Sequence, residues 1–244
     1  MLTKTSGGFS FLPGGRHPFS NGVIALPGHR LVRVRLPAGT VMAEGMAAMA
    51  GWMRAHGYSP LALAGCELRS PVVMSFVDFA AFNATYIETL RANGFSAEGS
   101  FPITRSNLVP NFDVPMTNEL FGFTVAVPDA AAPGGEFVVA GKPEVRDAPF
   151  GIVAEGDVSE AGLREKTAFI MDDLRQKVAD LGGVWREITG VQVYTIHALD
   201  EVMAVMAEQG LASVGLTVFP SAPPVLGCDV EVDVRSVREE RWLL

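Results

Sequence analysis

One order of predicted strands and helices occurs twice in this chain of 244 residues. Runs of β-branched and aromatic residues predict strands, and apolar residues at three- and four-residue intervals predict helices. Both halves follow the order β-β-α-β-α-β-β, and such a repeat indicates an internal duplication. The run PDAAAPGG at residues 128–135 is the clearest change in composition, because its proline and glycine content is typical of a linker. We therefore predict two domains, at residues 1–128 and 129–244.

The fold class follows from the predicted elements. Helices are expected at 41–55, from a cap at Asp78 to a stop at Asn93-Gly94, at 159–181 and at 200–209. Strands or extended segments are expected at 23–26, 31–36, 61–76, 105–109, 120–127, 136–140, 150–154, 191–197, 216–219 and 229–237. In each half, two strands precede the first helix, one strand lies between the helices and two strands follow the second helix. This order predicts an α+β fold, with the helices on one face of a mostly antiparallel sheet.

The composition limits the kinds of molecule that this chain is expected to bind. The chain is 48% hydrophobic and 19% charged, with a formal net charge of -8 and no run of Lys or Arg, which argues against a nucleic-acid surface. No apolar segment is long enough to cross a membrane. Cys66 and Cys228 have neither the number nor the spacing of a metal site or a disulfide framework. We therefore expect a cytoplasmic protein that binds neither nucleic acid nor membranes.

A short stretch of the first half resembles a known family. The helix contains FNATY (82–86), a loop follows, and FPITRSNLV (101–109) then leads to a downstream VP. This order resembles the YjgF/RidA family of small imine/enamine deaminases, whose fold is chorismate-mutase-like. The subunit of that family is about half as long as this chain. The resemblance therefore implies two fused subunits, and it covers nearly the whole sequence.

The resemblance also implies a site. The arginine that matches the family strand is Arg105, which would bind the substrate carboxylate, and the asparagine of the matching helix is Asn83. Phe19 stands in the early turn and would form a pocket wall. Arg16, in a glycine turn, is a candidate second cation. Family members form trimers with pockets between neighbouring subunits, so a homotrimer is expected.

The two halves depart from the family pattern in opposite ways. In the final strand of the second half, Glu231 matches the family glutamate, whereas about Phe121 occupies that position in the first half. In the second half, Ser213 or Val214 stands where the arginine belongs. Two interpretations stay open: a composite site that uses Arg105 with Glu231, or decay of one set of residues while the other acquires a new role.

The expected chemistry needs few groups. An arginine holds a carboxylate through two parallel hydrogen bonds. Hydrolysis of an adjacent imine then needs a water and a carboxyl group that moves protons, for which Glu231 or Glu119 is suitable, with Asn83 helping to position the water. Phe121 is a further candidate substrate contact. No metal and no cofactor is required.

We predict a hydrolytic deaminase that acts on a small imine or enamine acid of the 2-aminoacrylate or 2-aminomuconate type and releases ammonia. One alternative is a non-catalytic protein that binds small acids in degenerate sites. The other is an enzyme related to the chorismatases, which contain similar domains. A Glu231→Gln variant would separate an enzyme from a binding protein, since only turnover should be lost.

Overall fold

The computed structural model describes residues 1–14, 19–95 and 101–243. Within these ranges the helices are α1 Met42–Ala55, α2 Phe76–Ala92, α3 Glu160–Asp180 and α4 Asp200–Glu208. The strands up to the predicted linker are β1 Thr3–Lys4, β2 Phe9–Pro13, β3 Ser20–Ala25, β4 His29–Arg35, β5 Leu63–Arg69, β6 Thr104–Pro110 and β7 Glu119–Pro128. The later strands are β8 Phe137–Pro143, β9 Val145–Asp147, β10 Phe150–Ile152, β11 Gly190–Thr195, β12 Gly215–Ala222, β13 Val230–Arg235 and β14 Glu239–Trp242.

The helix ends follow local capping chemistry. Helix α2 is capped by the hydroxyl of Ser75, which accepts a hydrogen bond from the backbone N–H of Asp78. The prediction that Asp78 is the cap was therefore wrong by three residues, and Asp78 instead lies in the first turn, where its charge suits the helix dipole. The helix ends at Asn93, and Gly94 takes the left-handed conformation with φ +77°.

Twelve strands form one mixed sheet. Their order is β1-β2-β3-β8-β13-β11-β12-β6-β5-β7-β4-β14, while β9 and β10 pair with each other. Three neighbouring pairs in the sheet, β5–β6, β11–β12 and β4–β14, are parallel, and the other pairs are antiparallel. The quartet β6-β5-β7-β4 has the same order as β12-β11-β13-β8, so the duplication is visible in the topology. The prediction of two tandem α+β units with a mostly antiparallel sheet is confirmed.

Among the described strands, three pairings connect the two halves. Strands β12 and β6 pair where Ser221 faces Pro110. Strand β3 hydrogen-bonds to β8, with Val23 opposite Val138. Strand β14 of the second half pairs with β4 of the first half. Each half therefore contributes one strand that pairs with the edge of the other half's strand quartet. The boundary between residues 128 and 129 stays a prediction.

Each half has its own apolar core between helices and sheet. On α3, one buried stripe contacts the second sheet quartet and consists of Leu163, Thr167, Ile170, Leu174 and Val178. Burial of each large aliphatic side chain contributes about 1.5–3 kcal/mol, so this stripe determines which face of α3 packs inward. No helix among the described residues has the length and hydropathy needed to cross a membrane.

A buried group of charges lies between the two halves, and we call it the Glu67 cluster. The Glu67 carboxylate accepts hydrogen bonds from Arg33 at 2.6 Å and from Arg235 at 2.9 Å. Arg33 also donates to Gln192 at 2.8 Å, while Arg235 donates to Asp233 at 2.7 Å. Burial alone would raise the pKa of Glu67, yet the two guanidinium groups hold it well below its usual range. The cluster therefore joins β4 and β5 to β11 and β13.

Candidate active site

A cavity of about 210 Å³ opens where the first half meets the second. Residues of β3, α2 and β6 form one side, and residues of β8, β9, β10 and β13 form the other. Its lining includes Phe19, Phe79, Arg105, Asn107, Gly141 and Glu231. We call it the Arg105 cavity. Its walls are largely apolar with a few convergent polar groups, which is typical of small-molecule sites.

Arg105 is held in place by helix α2. Strand β6 carries it next to Cys66 of β5, and its guanidinium donates a hydrogen bond to the side-chain oxygen of Asn83, which is 8% exposed. The guanidinium also lies 4.4 Å from the ring centroid of Phe19 and 5.0 Å from that of Phe79. Burial lowers the pKa of Arg105 to about 10, so the group stays charged at neutral pH. Such a fixed cation suits a carboxylate ligand.

Glu231 enters the same cavity from the second half. A β-carbon built on Gly141 would lie 2.0 Å from its Oε1 atom, so the carboxyl group occupies space that a side chain at position 141 would fill. Burial, followed by the negative charge of Asp233, raises the pKa of Glu231 to about 8, and the opposing effect of Arg105 is smaller. Glu231 is therefore mostly protonated at neutral pH.

Two other predicted site residues, Phe121 and Glu119, lie elsewhere. Phe121 stacks under two guanidinium groups, with Arg69 at 3.7 Å and Arg35 at 4.1 Å from its ring centroid, and it meets the edge of Phe219 at 5.8 Å. We call these four residues the Phe121 cluster. Glu119 faces Arg69 across β5 and β7. Neither Phe121 nor Glu119 lines the Arg105 cavity.

Arg16 lies outside the described residues. Among the residues that are described, no group of three or more His, Cys, Asp or Glu side chains has a geometry that could hold a metal ion.

Comparisons with known proteins identify the family. The family described as 2-aminomuconate deaminase CnbZ matches residues 1–241. The chain belongs to this family. The 2-amino-5-chloromuconate deaminase of Comamonas testosteroni is 35% identical over 240 residues, which cover 96% of this chain and 95% of that protein. Membership in the CnbZ family confirms the predicted enzyme class, a deaminase.

A solved chorismatase structure supports the fold of this CnbZ-family chain. A chorismatase covers 96% of this chain and 78% of its own, with a TM-score of 0.52 and 13% identity. The YjgF gene product from E. coli covers 45% of this chain and 85% of its own, with a TM-score of 0.33 and 14% identity. The chorismatase similarity agrees with the predicted fold of two tandem α+β units. At 13% identity, the chorismatase similarity concerns the fold alone.

Several residues that line the Arg105 cavity of this CnbZ-family chain were not predicted from its sequence. Asn107 lies two residues after Arg105 on β6, so strand alternation could have placed it on the same face. Gly141 could not have been found, because its importance comes from a contact with a residue 90 positions away. Phe76 and Phe150 line the cavity from α2 and β10. The exposed β9–β10 hairpin was predicted only as one extended segment.

Proposed function

We propose that this chain hydrolyses 2-aminomuconate or a closely related amino-muconic acid and releases ammonia in the Arg105 cavity. The observation that carries this proposal is that Arg105 and Glu231, from different halves, line one cavity. The chain also matches a relative named for deamination of a chlorinated 2-aminomuconate over nearly its full length.

Binding would begin at the arginine. The carboxylate next to the amino-bearing carbon forms paired hydrogen bonds with the Arg105 guanidinium. Asn83 accepts a hydrogen bond from that guanidinium and fixes its plane, so we assign Asn83 a positioning role. The aromatic rings of Phe19 and Phe79 exclude water around the cation and strengthen its attraction for the substrate.

Glu231 would move the protons. Its protonated form donates a proton to the enamine carbon, which converts the enamine into an iminium group. The resulting carboxylate then accepts a proton from a water that attacks the iminium carbon. Glu231 then returns its proton to the amino group of the tetrahedral adduct, and the C–N bond breaks to release ammonia. The carboxylate takes the hydroxyl proton as the carbonyl forms, which restores the protonated form of Glu231. The net change is enamine plus water to oxo acid plus ammonia, and a carboxyl pKa near neutrality suits both transfers.

The test is ammonia release from 2-aminomuconate by the wild type and by Arg105→Ala. We expect the variant to lose roughly 100-fold or more in kcat/KM, because the bidentate contact that orients the substrate is removed. Arg175→Ala is a matched control, since Arg175 is an exposed arginine that also stacks on an aromatic ring, Trp185, at 5.5 Å. Equal activity of the wild type and Arg105→Ala would contradict the proposed site.

We also propose a homotrimer, as in YjgF/RidA proteins, working in the cytoplasm. Support for an intermolecular contact comes from the loop after β6, where Phe112 and Met116 are 69% and 95% exposed. Support for a reducing compartment comes from Cys66 and Cys228, which are buried free thiols. Light scattering of the purified chain tests the trimer, and a monomeric mass would contradict it.

A further inference from the structure

Two phenylalanines from different halves meet at the edge of the Arg105 cavity. Phe76 is the first residue of α2 and Phe150 is the first residue of β10, and their ring centroids are 5.0 Å apart at an interplanar angle of 70°. Both line the cavity, yet they are 41% and 58% exposed. Large aromatic side chains that border a cavity and remain in contact with water are available to cover an apolar ligand.

The wall that carries Phe150 exists in only one half. In the first half, β4 reaches α1 through residues 36–41. In the second half, the connection from β8 to α3 spans residues 144–159 and contains the β9–β10 hairpin, which pairs with no strand of the large sheet. Val145, Asp147 and Phe150 of this hairpin line the cavity. The insertion therefore adds a wall that the duplication alone does not supply.

The position of this wall agrees with the shape of the proposed substrate. If one carboxylate binds Arg105 and the amino-bearing carbon lies near Glu231, the rest of a six-carbon acid must extend along the other cavity walls. Those walls are largely apolar and include Phe79, Pro224 and Val225 in addition to the two phenylalanines, although Asp147 of the hairpin also lines them. A conjugated diene is flat and apolar on both faces, so it packs well between aromatic rings. A four-carbon acid would end closer to Arg105.

We propose that Phe76 and Phe150 form a subsite for the conjugated chain beyond the reacting carbon, and that this subsite selects extended planar acids over short ones. The inference rests on the proposed function, because it takes Arg105 and Glu231 as the reacting end of the cavity. It assigns to the hairpin insertion the role of determining substrate length.

Calorimetric titration with non-reacting acids tests this subsite. The ligands are muconate, which has six carbons and a planar diene, adipate, which has six carbons but is saturated and flexible, and fumarate, which has four. The proteins are the wild type, Phe76→Ala, Phe150→Ala and Arg105→Ala, with Trp242→Ala as a control because Trp242 is an exposed aromatic residue that does not line the cavity. Melting temperatures show whether each variant is folded.

We expect the wild type to bind muconate at least about tenfold more tightly than fumarate or adipate. Phe76→Ala or Phe150→Ala should weaken muconate binding by roughly 10-fold through the lost ring contacts and leave fumarate binding within about twofold. Arg105→Ala should weaken the binding of all three ligands, and Trp242→Ala should change the binding of none of them.

Equal binding of muconate and fumarate by the wild type would overturn the inference, as would a loss that is the same for both ligands in the phenylalanine variants. Failure of muconate to bind at all would also overturn it. The proposed function is tested separately by ammonia release. If the wild type released no ammonia while the ring-dependent preference for muconate persisted, the reaction would be wrong and the subsite would stand.

Discussion

The Arg105 cavity and the Phe121 cluster occupy related places in the duplicated sheet. In the cavity, β6 of the first half approaches β13 of the second, and in the cluster, β7 of the first half approaches β12 of the second. Glu231 on β13 pairs with Pro143 at the end of β8, while the carbonyl of Phe121 on β7 accepts a hydrogen bond from Leu36, just after β4. The backbone positions of Glu231 and Phe121 correspond. However, the carboxyl group of Glu231 lines the Arg105 cavity, whereas the ring of Phe121 packs inside the Phe121 cluster.

This difference shows how duplication allows the two halves to diverge. The cavity takes its cation from the first half and its carboxyl group from the second, so neither half contains the pair. In the other place, Phe121 and Phe219 pack edge to face, and Arg69 is 4% exposed and stacks on both rings. One place combines a cation and a carboxyl group in a cavity, and the other is a packed contact between the two halves.

Substitution of the two corresponding residues, Glu231 and Phe121, should distinguish the Arg105 cavity from the Phe121 cluster most clearly. Glu231→Gln keeps the size of the side chain but cannot transfer a proton, so we expect kcat to fall by about 10²–10⁴-fold while muconate binding changes by only a few-fold. Phe121→Leu should leave kcat within about threefold, because Phe121 does not line the cavity. Steady-state kinetics and calorimetry measure both effects, and a larger loss of kcat in Phe121→Leu would reverse the assignment.

The Glu67 cluster lies between the two halves. Both the Arg105 cavity and the Phe121 cluster depend on how these halves meet. Glu67→Ala leaves Arg33 and Arg235 buried without their shared carboxylate, so we expect a loss of about 3–5 kcal/mol in the free energy of unfolding. Glu187→Ala removes an exposed pair with Arg238 at 3.9 Å and should cost at most about 1 kcal/mol. Urea denaturation measures both values, and similar losses would refute the importance of the cluster.

The contribution of the Glu67 cluster to stability depends on pH, and its direction follows from the pKa of Glu67. Because the pKa of Glu67 is lower in the folded state than in the unfolded state, its stabilisation is present above the unfolded pKa and is lost as the pH falls toward the folded value. Wild-type stability should therefore fall more steeply below about pH 4.5 than that of Glu67→Ala. Parallel acid denaturation curves would contradict this expectation.

A smaller perturbation can move the carboxyl group without removing it. Gly141→Ala places a methyl group where Oε1 of Glu231 lies, at a distance of 2.0 Å, so the Glu231 side chain must turn away from its present position. We expect kcat/KM to fall by roughly 10–100-fold with little change in muconate affinity, since misplacement of a catalytic group is costly. Gly51→Ala is the control, because the nearest atom to its added β-carbon is the end of Arg54 at 3.9 Å. Unchanged kinetics in Gly141→Ala would mean that the position of Glu231 is not critical.

The dependence of kcat/KM on pH should show the smallest of these effects. In the proposed mechanism the protonated form of Glu231 starts the reaction, and the pKa of Glu231 is raised to about 8. We therefore expect kcat/KM to be constant near neutrality and to fall about tenfold per unit well above pH 8. Arg105, with a pKa of about 10, remains charged where this decline begins. A profile that instead rises through pH 8 would indicate that the carboxylate form of Glu231 acts first.

The sequence by itself determined the repeated order of elements. The periodic apolar stripe of α3 and the glycine stops at Gly94 and Gly182 depend on neighbours within a few residues, so they could be predicted. The chemical identity of Arg105 and Glu231 was also visible in their strands. The cap of α2 was misplaced because Ser75 and Asp78 are both good capping residues, and only the backbone geometry selects between them.

Only the tertiary structure decided which strands of the two halves meet. The pairing of β3 with β8 brings residues far apart in sequence together, and no local pattern specifies it. The same long-range arrangement puts Arg105 and Glu231 on one cavity while Phe121 packs against Phe219. The raised pKa of Glu231 depends on burial by residues from both halves, because desolvation is a property of the assembled site.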